Sequence, residues 1–109
     1  MSTLSTHVLD TALGKPAEGI RVTLDREGVV AGSGVTDADG RVSNLVARQA
    51  ELGEGSYRLT FHVAEYFSKA GRETFYDEIV VNFRIGAGSE HYHVPLLLSP
   101  FGYSTYRGS

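Results

Sequence analysis

The sequence predicts an all-β fold, an antiparallel sandwich with one short helix. Three observations carry this reading. Apolar and polar residues alternate with period two through four long runs, and turn-forming residues recur roughly every 8–12 positions. Residues 64–70 are the single stretch of good helix formers, and a glycine ends it.

Taken in order, Ser5–Leu9 reads as a short strand with Ser5, His7 and Leu9 on one face. Gly14-Lys15-Pro16 is a turn. Ile20 to Asp25 alternates without error, and Glu27-Gly28 then supplies a tight hairpin, because glycine accepts the positive φ that such turns need. Val29–Thr36 is the returning strand. Asp37-Ala38-Asp39-Gly40 is another turn, with aspartates able to bond their own backbone, and Arg41–Leu45 reads as a strand after it. Tyr57–Val63 places Tyr57, Leu59, Phe61 and Val63 on one face and His62 on the surface side. Ala64–Ala70 is the helix, with Gly71 as its C-cap. Ile79, Val81, Phe83 and Ile85 share a face, as do Tyr92, Val94, Leu96 and Leu98. The short Gly86–Ser89 link between these two runs suggests an antiparallel pair.

A length of 109 residues makes one domain, 1–109, able to bury roughly two-thirds of its unfolded surface. A net charge of -3 gives no basic footprint, so nucleic acid is not an expected partner. Without cysteine there is no disulfide and no thiolate metal site. The first ten residues lack the charged and apolar regions of a signal peptide, and no apolar run approaches the roughly 20 residues that span a bilayer. A cytoplasmic location without membrane contact is the expectation.

Four histidines invite chemistry. His91 and His93 share a strand face with Pro95 and Leu97, opposite the apolar Tyr92/Val94/Leu96/Leu98 face. Spacing alone favours a solvated strand face there, although leucine beside histidine also suits an interface. His7, His91 and His93 have the composition of a three-histidine zinc site, but spacing does not show that they converge. Arg41 follows a tight turn, where a planar fork for a carboxylate or ring oxygen is useful and an ordinary strand-edge arginine is common. Asp37 and Asp39 resemble a fragment of a calcium loop without its other ligands, so the turn reading prevails. The chain end, Tyr106-Arg107-Gly108-Ser109, is dense in polar groups for a terminus.

Three segments together resemble the transthyretin-related 5-hydroxyisourate hydrolases. They are Leu4-Ser5-Thr6-His7-Val8-Leu9-Asp10 with Gly14-Lys15-Pro16-Ala17, then Thr36-Asp37-Ala38-Asp39-Gly40-Arg41, and finally His91 to Pro100 with Tyr103 to Ser109. The resemblance spans essentially the whole chain, and the Tyr-Arg-Gly-Ser ending separates the hydrolases from the hormone carriers of similar fold. It implies a transthyretin-like sandwich of two four-stranded antiparallel sheets with a short helix near residues 64–70. It also implies a homotetramer, a dimer of dimers, with active sites in a channel at the dimer–dimer interface. The implied reaction is hydrolysis of 5-hydroxyisourate to 2-oxo-4-hydroxy-4-carboxy-5-ureidoimidazoline in urate degradation, with no cofactor and no metal. Carried over motif by motif, the catalytic positions are His7, Arg41, His93 and Ser109, and the substrate-binding ones His7, Arg41 and Tyr106. His7 is the leading base, with His93 orienting water or substrate or donating a proton, and the two roles are exchangeable. Arg107 is a candidate anchor for the tail. The competing expectations are a carrier that binds a small hydrophobic ligand in the tetramer channel, and an adhesion sandwich with no ligand.

Overall fold

Eight strands and one helix make up the computed structural model, which describes residues 2–42, 45 and 52–108. The strands are β1 (Thr3–Asp10), β2 (Lys15–Pro16), β3 (Arg21–Arg26), β4 (Val29–Val35), β5 (Gly55–Phe61), β6 (Ile79–Ile85), β7 (His91–Ser99) and β8 (Gly102–Thr105). Helix α1 (Val63–Lys69) joins β5 to β6. One sheet has the order β2-β1-β7-β8 and the other β4-β3-β5-β6. The expected sandwich of two four-stranded sheets is therefore present.

Period two explains the core. Leu4, Val8, Tyr92, Val94, Leu96 and Leu98 are buried from the first sheet, and Val22, Leu24, Tyr57, Leu59, Phe61, Ile79 and Ile85 from the second. Phe67 of α1 is fully buried with them. Glu27 and Gly28 have φ of 53° and 81°, the two left-handed residues of a hairpin whose twist matches its strands.

Several details differ from the sequence reading. The Gly86–Ser89 link does not close a hairpin: β6 and β7 lie at different places in different sheets, and the link crosses between them. The crossing sets Val81 and Phe83 against Tyr92 and Val94 around one cleft of about 270 Å³, so both apolar faces turn inward. β1 and β7 pair in parallel, while the other pairs are antiparallel. Parallel neighbours need a long connection, and here most of the chain lies between them. The run at Tyr57–Val63 ends as a strand at Phe61, and helix begins at Val63. His62 sits at the junction with its side chain only 15% exposed, beside Glu78 at 3.2 Å, and is not a surface residue. The expected strand Arg41–Leu45 is reduced, among its described residues, to one bridge between Arg41 and His7; Ser43 and Asn44 lie outside the described residues. β2 and β8 fall where the sequence showed only a turn and a tail.

A buried ionic network ties the end of β1 to the helix. The Asp10 side chain is fully buried, with Arg72 Nη1 at 2.7 Å and the Tyr66 hydroxyl donating at 2.7 Å. The Leu13 N–H donates to its other oxygen at 3.1 Å. Among the described residues, no helix is long and apolar enough to cross a membrane.

Candidate active site

The outer face of the β1/β7 pair gathers the singled-out residues. Core positions in β1 are Leu4, Thr6, Val8 and Asp10, so Ser5 and His7 point to the opposite side. The parallel register sets Thr3 beside His91, Ser5 beside His93 and His7 beside Pro95. His7 and His93 thus stand on adjacent strands, offset by two residues, roughly 8 Å apart at Cα.

Arg41 reaches this face through its turn. Asp37 Oδ1 accepts from the Asp39 and Arg41 N–H groups at 2.9 and 3.0 Å, which fixes the backbone of the arginine. Gly40 lies against β1, its carbonyl accepting from the Val8 N–H at 2.8 Å. Its φ is 76°, and a Cβ there would meet the Val8 carbonyl at 2.3 Å, so only glycine permits the approach. Arg41 then bridges His7. Its guanidinium has no hydrogen-bond or ion-pair partner among the described residues, and neither do the His7 ring nitrogens. The Asp37 carboxylate is engaged in its own turn, as the turn reading expected.

The tail arrives from the other side. β8 pairs antiparallel with β7 from Ser99↔Gly102 to Leu96↔Thr105. Pro95 has no N–H to donate, and the Thr105 hydroxyl bonds its carbonyl instead at 2.7 Å. The same register then resumes at His93↔Gly108, where the Gly108 N–H donates to the His93 carbonyl at 2.7 Å. A Cβ on Gly108 would lie 2.6 Å from His93 Cδ2, so the missing side chain is what lets the tail close on the histidine. Arg107 is held by Glu90 at 3.1 Å and stacks over the Tyr92 ring at 4.5 Å, which is how a tail anchor behaves. Tyr106 is 57% exposed and borders the cleft between the sheets. By the β7/β8 register it stands opposite Pro95, two strand spacings from His7 or roughly 10 Å. Ser109 lies outside the described residues.

Geometry therefore brings together His7, Arg41, His93 and the tail backbone, with Tyr106 at the margin. It also adds residues that the sequence reading had not assigned. The Ser5 hydroxyl lies 2.7 Å from His93 Nδ1 and 2.9 Å from His91 Nε2, and Thr3 Oγ1 lies 2.6 Å from His91 Nδ1. Both ring nitrogens of His91 are thus engaged, and no three His, Cys, Asp or Glu side chains among the described residues converge on a metal position. The available signal was the i, i+2 spacing of Thr3, Ser5 and His7 matching that of His91 and His93. It becomes legible only with the register. His93 has its pKa lowered by burial first, then by the cation of Arg41, by His7 and by His91. These causes favour its neutral ring.

Residues 4–108 match the profile of the HIUase/Transthyretin family. The chain belongs to that family. A 5-hydroxyisourate hydrolase of Deinococcus radiodurans is 47% identical over 97% of this chain and 95% of its own length. The solved structure of Klebsiella pneumoniae 5-hydroxyisourate hydrolase superposes with a TM-score of 0.89 at 46% identity, covering 98% of this chain and 99% of that one. Sea bream transthyretin in complex with thyroxine also gives 0.89, at 32% identity, covering 96% and 93%. Fold alone thus does not separate the family's hydrolases from transthyretin, and the side chains on the β1/β7 face must.

Gly108→Ala probes that face without touching the core. Its methyl group must displace either the tail or the His93 ring. We expect turnover to fall by about 10²-fold, the scale of a misplacement near 1 Å in a site. Stability should change by no more than about 1 kcal/mol, the worth of one exposed hydrogen bond. Steady-state kinetics and thermal melting read the two separately.

Proposed function

We propose that this chain hydrolyses 5-hydroxyisourate, with His7, Arg41 and His93 as the working groups. The observation that carries the reading is the assembly of two histidines and an arginine, unpaired among the described residues, from three distant segments onto one strand face. The 46–47% identity to hydrolases over nearly the full length supports it.

In the proposed reaction a water molecule loses a proton to a histidine as its oxygen adds to C6. The N1–C6 bond then breaks, N1 leaves and takes up a proton, and C6 remains on C5 as a carboxyl group. The product is 2-oxo-4-hydroxy-4-carboxy-5-ureidoimidazoline. His7 suits the base role because its ring nitrogens have no protein partner among the described residues. His93 has Nδ1 held by Ser5, so it presents Nε2 as the proton donor to N1 or as the group that orients water. Arg41 stabilises the oxyanion at C6. Tyr106 contributes to the rim of the site. Ser109 directly follows the residue docked on His93, and its hydroxyl is assigned to orient a histidine or the water. The active assembly is a homotetramer that encloses this otherwise half-open face.

The test is the ultraviolet decay of freshly generated 5-hydroxyisourate with and without the protein. Accelerated decay is expected; decay at the uncatalysed rate overturns the reading, and saturable thyroxine binding without turnover would favour a carrier. Ser109→Ala is expected to lower the rate, because it removes the hydroxyl assigned to orient a histidine or the water. An unchanged rate removes the Ser109 hydroxyl from the mechanism.

A further inference from the structure

The strongest feature that the proposed mechanism leaves unused is the row Thr3–His91–Ser5–His93. Four side chains from two parallel strands touch in sequence, at 2.6, 2.9 and 2.7 Å. We propose that this row is a proton relay that sets which ring nitrogen of His93 carries hydrogen and restores it between turnovers. The proposal rests on the hydrolase reading and deepens it.

A hydroxyl has one hydrogen, and a neutral imidazole has one donor and one acceptor nitrogen. Ser5 touches a nitrogen on each side, so it donates to one and accepts from the other. Two arrangements satisfy every pair. In the first, Thr3 donates to His91 Nδ1, His91 Nε2 donates to Ser5, and Ser5 donates to His93 Nδ1. His93 then carries its hydrogen on Nε2 and faces the site as an acid. In the second, every donor is reversed. His93 Nδ1 donates to Ser5, Ser5 donates to His91 Nε2, and His91 Nδ1 donates to Thr3. His93 Nε2 then faces the site as a base.

Passage from the first arrangement to the second is balanced. His93 Nε2 gives a proton to the leaving nitrogen. The Ser5 hydrogen moves to His93 Nδ1, the His91 Nε2 hydrogen moves to Ser5, and the Thr3 hydrogen moves to His91 Nδ1. Thr3 takes one proton from water. One proton leaves at His93, one enters at Thr3, and the row ends without net charge; the reverse passage, in which His93 Nε2 takes up a proton from water and Thr3 releases one to solvent, restores the first arrangement before the next turnover. His91 and Thr3 are exposed in the single chain, so water can reach that end, whereas His93 is half-buried. Among the described residues, the charged and titratable groups facing His93 are His7 of β1, His91 of β7 and Arg41 from the turn, and the tail brings the Gly108 backbone against its ring. The Arg41 cation disfavours a second positive charge, and a neutral relay avoids one. Ser5 and His91 are thus positioning residues for His93, separate from any contact with substrate.

Ser5→Ala in the full chain breaks the row at its centre. We expect kcat to fall about 10–100-fold, the usual loss when a partner that orients a working histidine is removed, with KM little changed. Ser5→Thr keeps the hydroxyl and should restore most of the rate. In His91→Gln the amide can still hydrogen-bond Ser5 but cannot pass a proton between two nitrogens, so kcat should also fall. Ring ¹⁵N resonances of the four histidines, recorded across pH, provide a readout independent of activity. Those of His93 should move in Ser5→Ala while those of His62 stay fixed. An active wild type, with Ser5→Ala keeping both its kcat and its His93 resonances, overturns the relay. A rate loss with unmoved His93 resonances overturns it as well. An inactive wild type would instead overturn the hydrolase reading, leaving the resonances to judge the hydrogen-bond row.

Discussion

His7→Ala is expected to lower kcat for 5-hydroxyisourate by about 10²–10⁴-fold, the usual contribution of a positioned proton-transfer group. The site geometry makes His7 the more sensitive of the two histidines to name as base. His93 has one nitrogen committed to Ser5 and its ring closed in by Gly108. His7 has neither restraint, and it bridges the segment that delivers Arg41. The loss should fall mainly on kcat, because an interaction made in the transition state is removed. Melting temperature should barely move, since His7 lies on the outer face of β1 and no core atom is deleted. Near-normal turnover in a folded His7→Ala protein would transfer the base role to His93. In that event the low-pH limb of activity would follow the lowered His93 pKa, with rate lost as pH falls through a value below the ordinary 6.5. Arg41→Gln would move that limb upward by removing the cation that opposes protonation.

The period-two pattern was enough to place most strands and to separate the two faces of β1 and β7. It could show that Ser5 and His7 share a face, and that His91 and His93 do. It could not show that these faces belong to one surface, because residues in pairs such as Ser5 and His93 are separated by most of the chain. Register between distant strands is set by packing and topology, which local pattern does not encode. The Gly86–Ser89 link illustrates the same limit: a short loop fits a hairpin or a crossing, and burial of both apolar faces selected the crossing. Gly40 and Gly108 were visible as residues but not as close approaches. Their importance lies in what a Cβ would strike, and that depends on partners far along the chain. The family resemblance supplied His7, Arg41 and His93 as one site. The relay partners Thr3, Ser5 and His91 emerged only from the coordinates.

Arg72→Met is expected to destabilise the fold by about 3–5 kcal/mol, because it leaves a buried carboxylate without its counter-charge. Asp10 is fully enclosed, and Arg72 is its one ion-pair partner among the described residues. Burial by itself would raise the Asp10 pKa; the hydrogen bonds from Arg72, Tyr66 and the Leu13 N–H outweigh it, and the carboxyl titrates below its ordinary value. The sign of the pH dependence follows. A depressed folded pKa adds stability above the unfolded value near 3.8, and that stability is lost as pH falls through the folded pKa. Tyr66 behaves oppositely at the alkaline end. Its pKa is pushed up to about 12 by burial and by its hydrogen bond to Asp10, so its contribution is complete below pH 10 and lost as pH rises toward 12. Removing Arg72 should lower Tm at neutral pH by more than about 10 °C and flatten the acid limb of unfolding, because the group that holds the folded Asp10 pKa down is gone. Melts must be compared at one protein concentration, since the proposed assembly would itself raise Tm. Asp10→Leu with Arg72→Met should recover part of the loss, as apolar replacement of a whole buried pair often does. Recovery stays partial because the Tyr66 hydroxyl and the Leu13 N–H lose their acceptor. A Tm change below about 2 °C in Arg72→Met would mean that water or rearrangement compensates the charge. Turnover per folded molecule should remain close to wild type throughout, because the network fixes the far end of β1, three residues beyond His7 and on the opposite face of the strand.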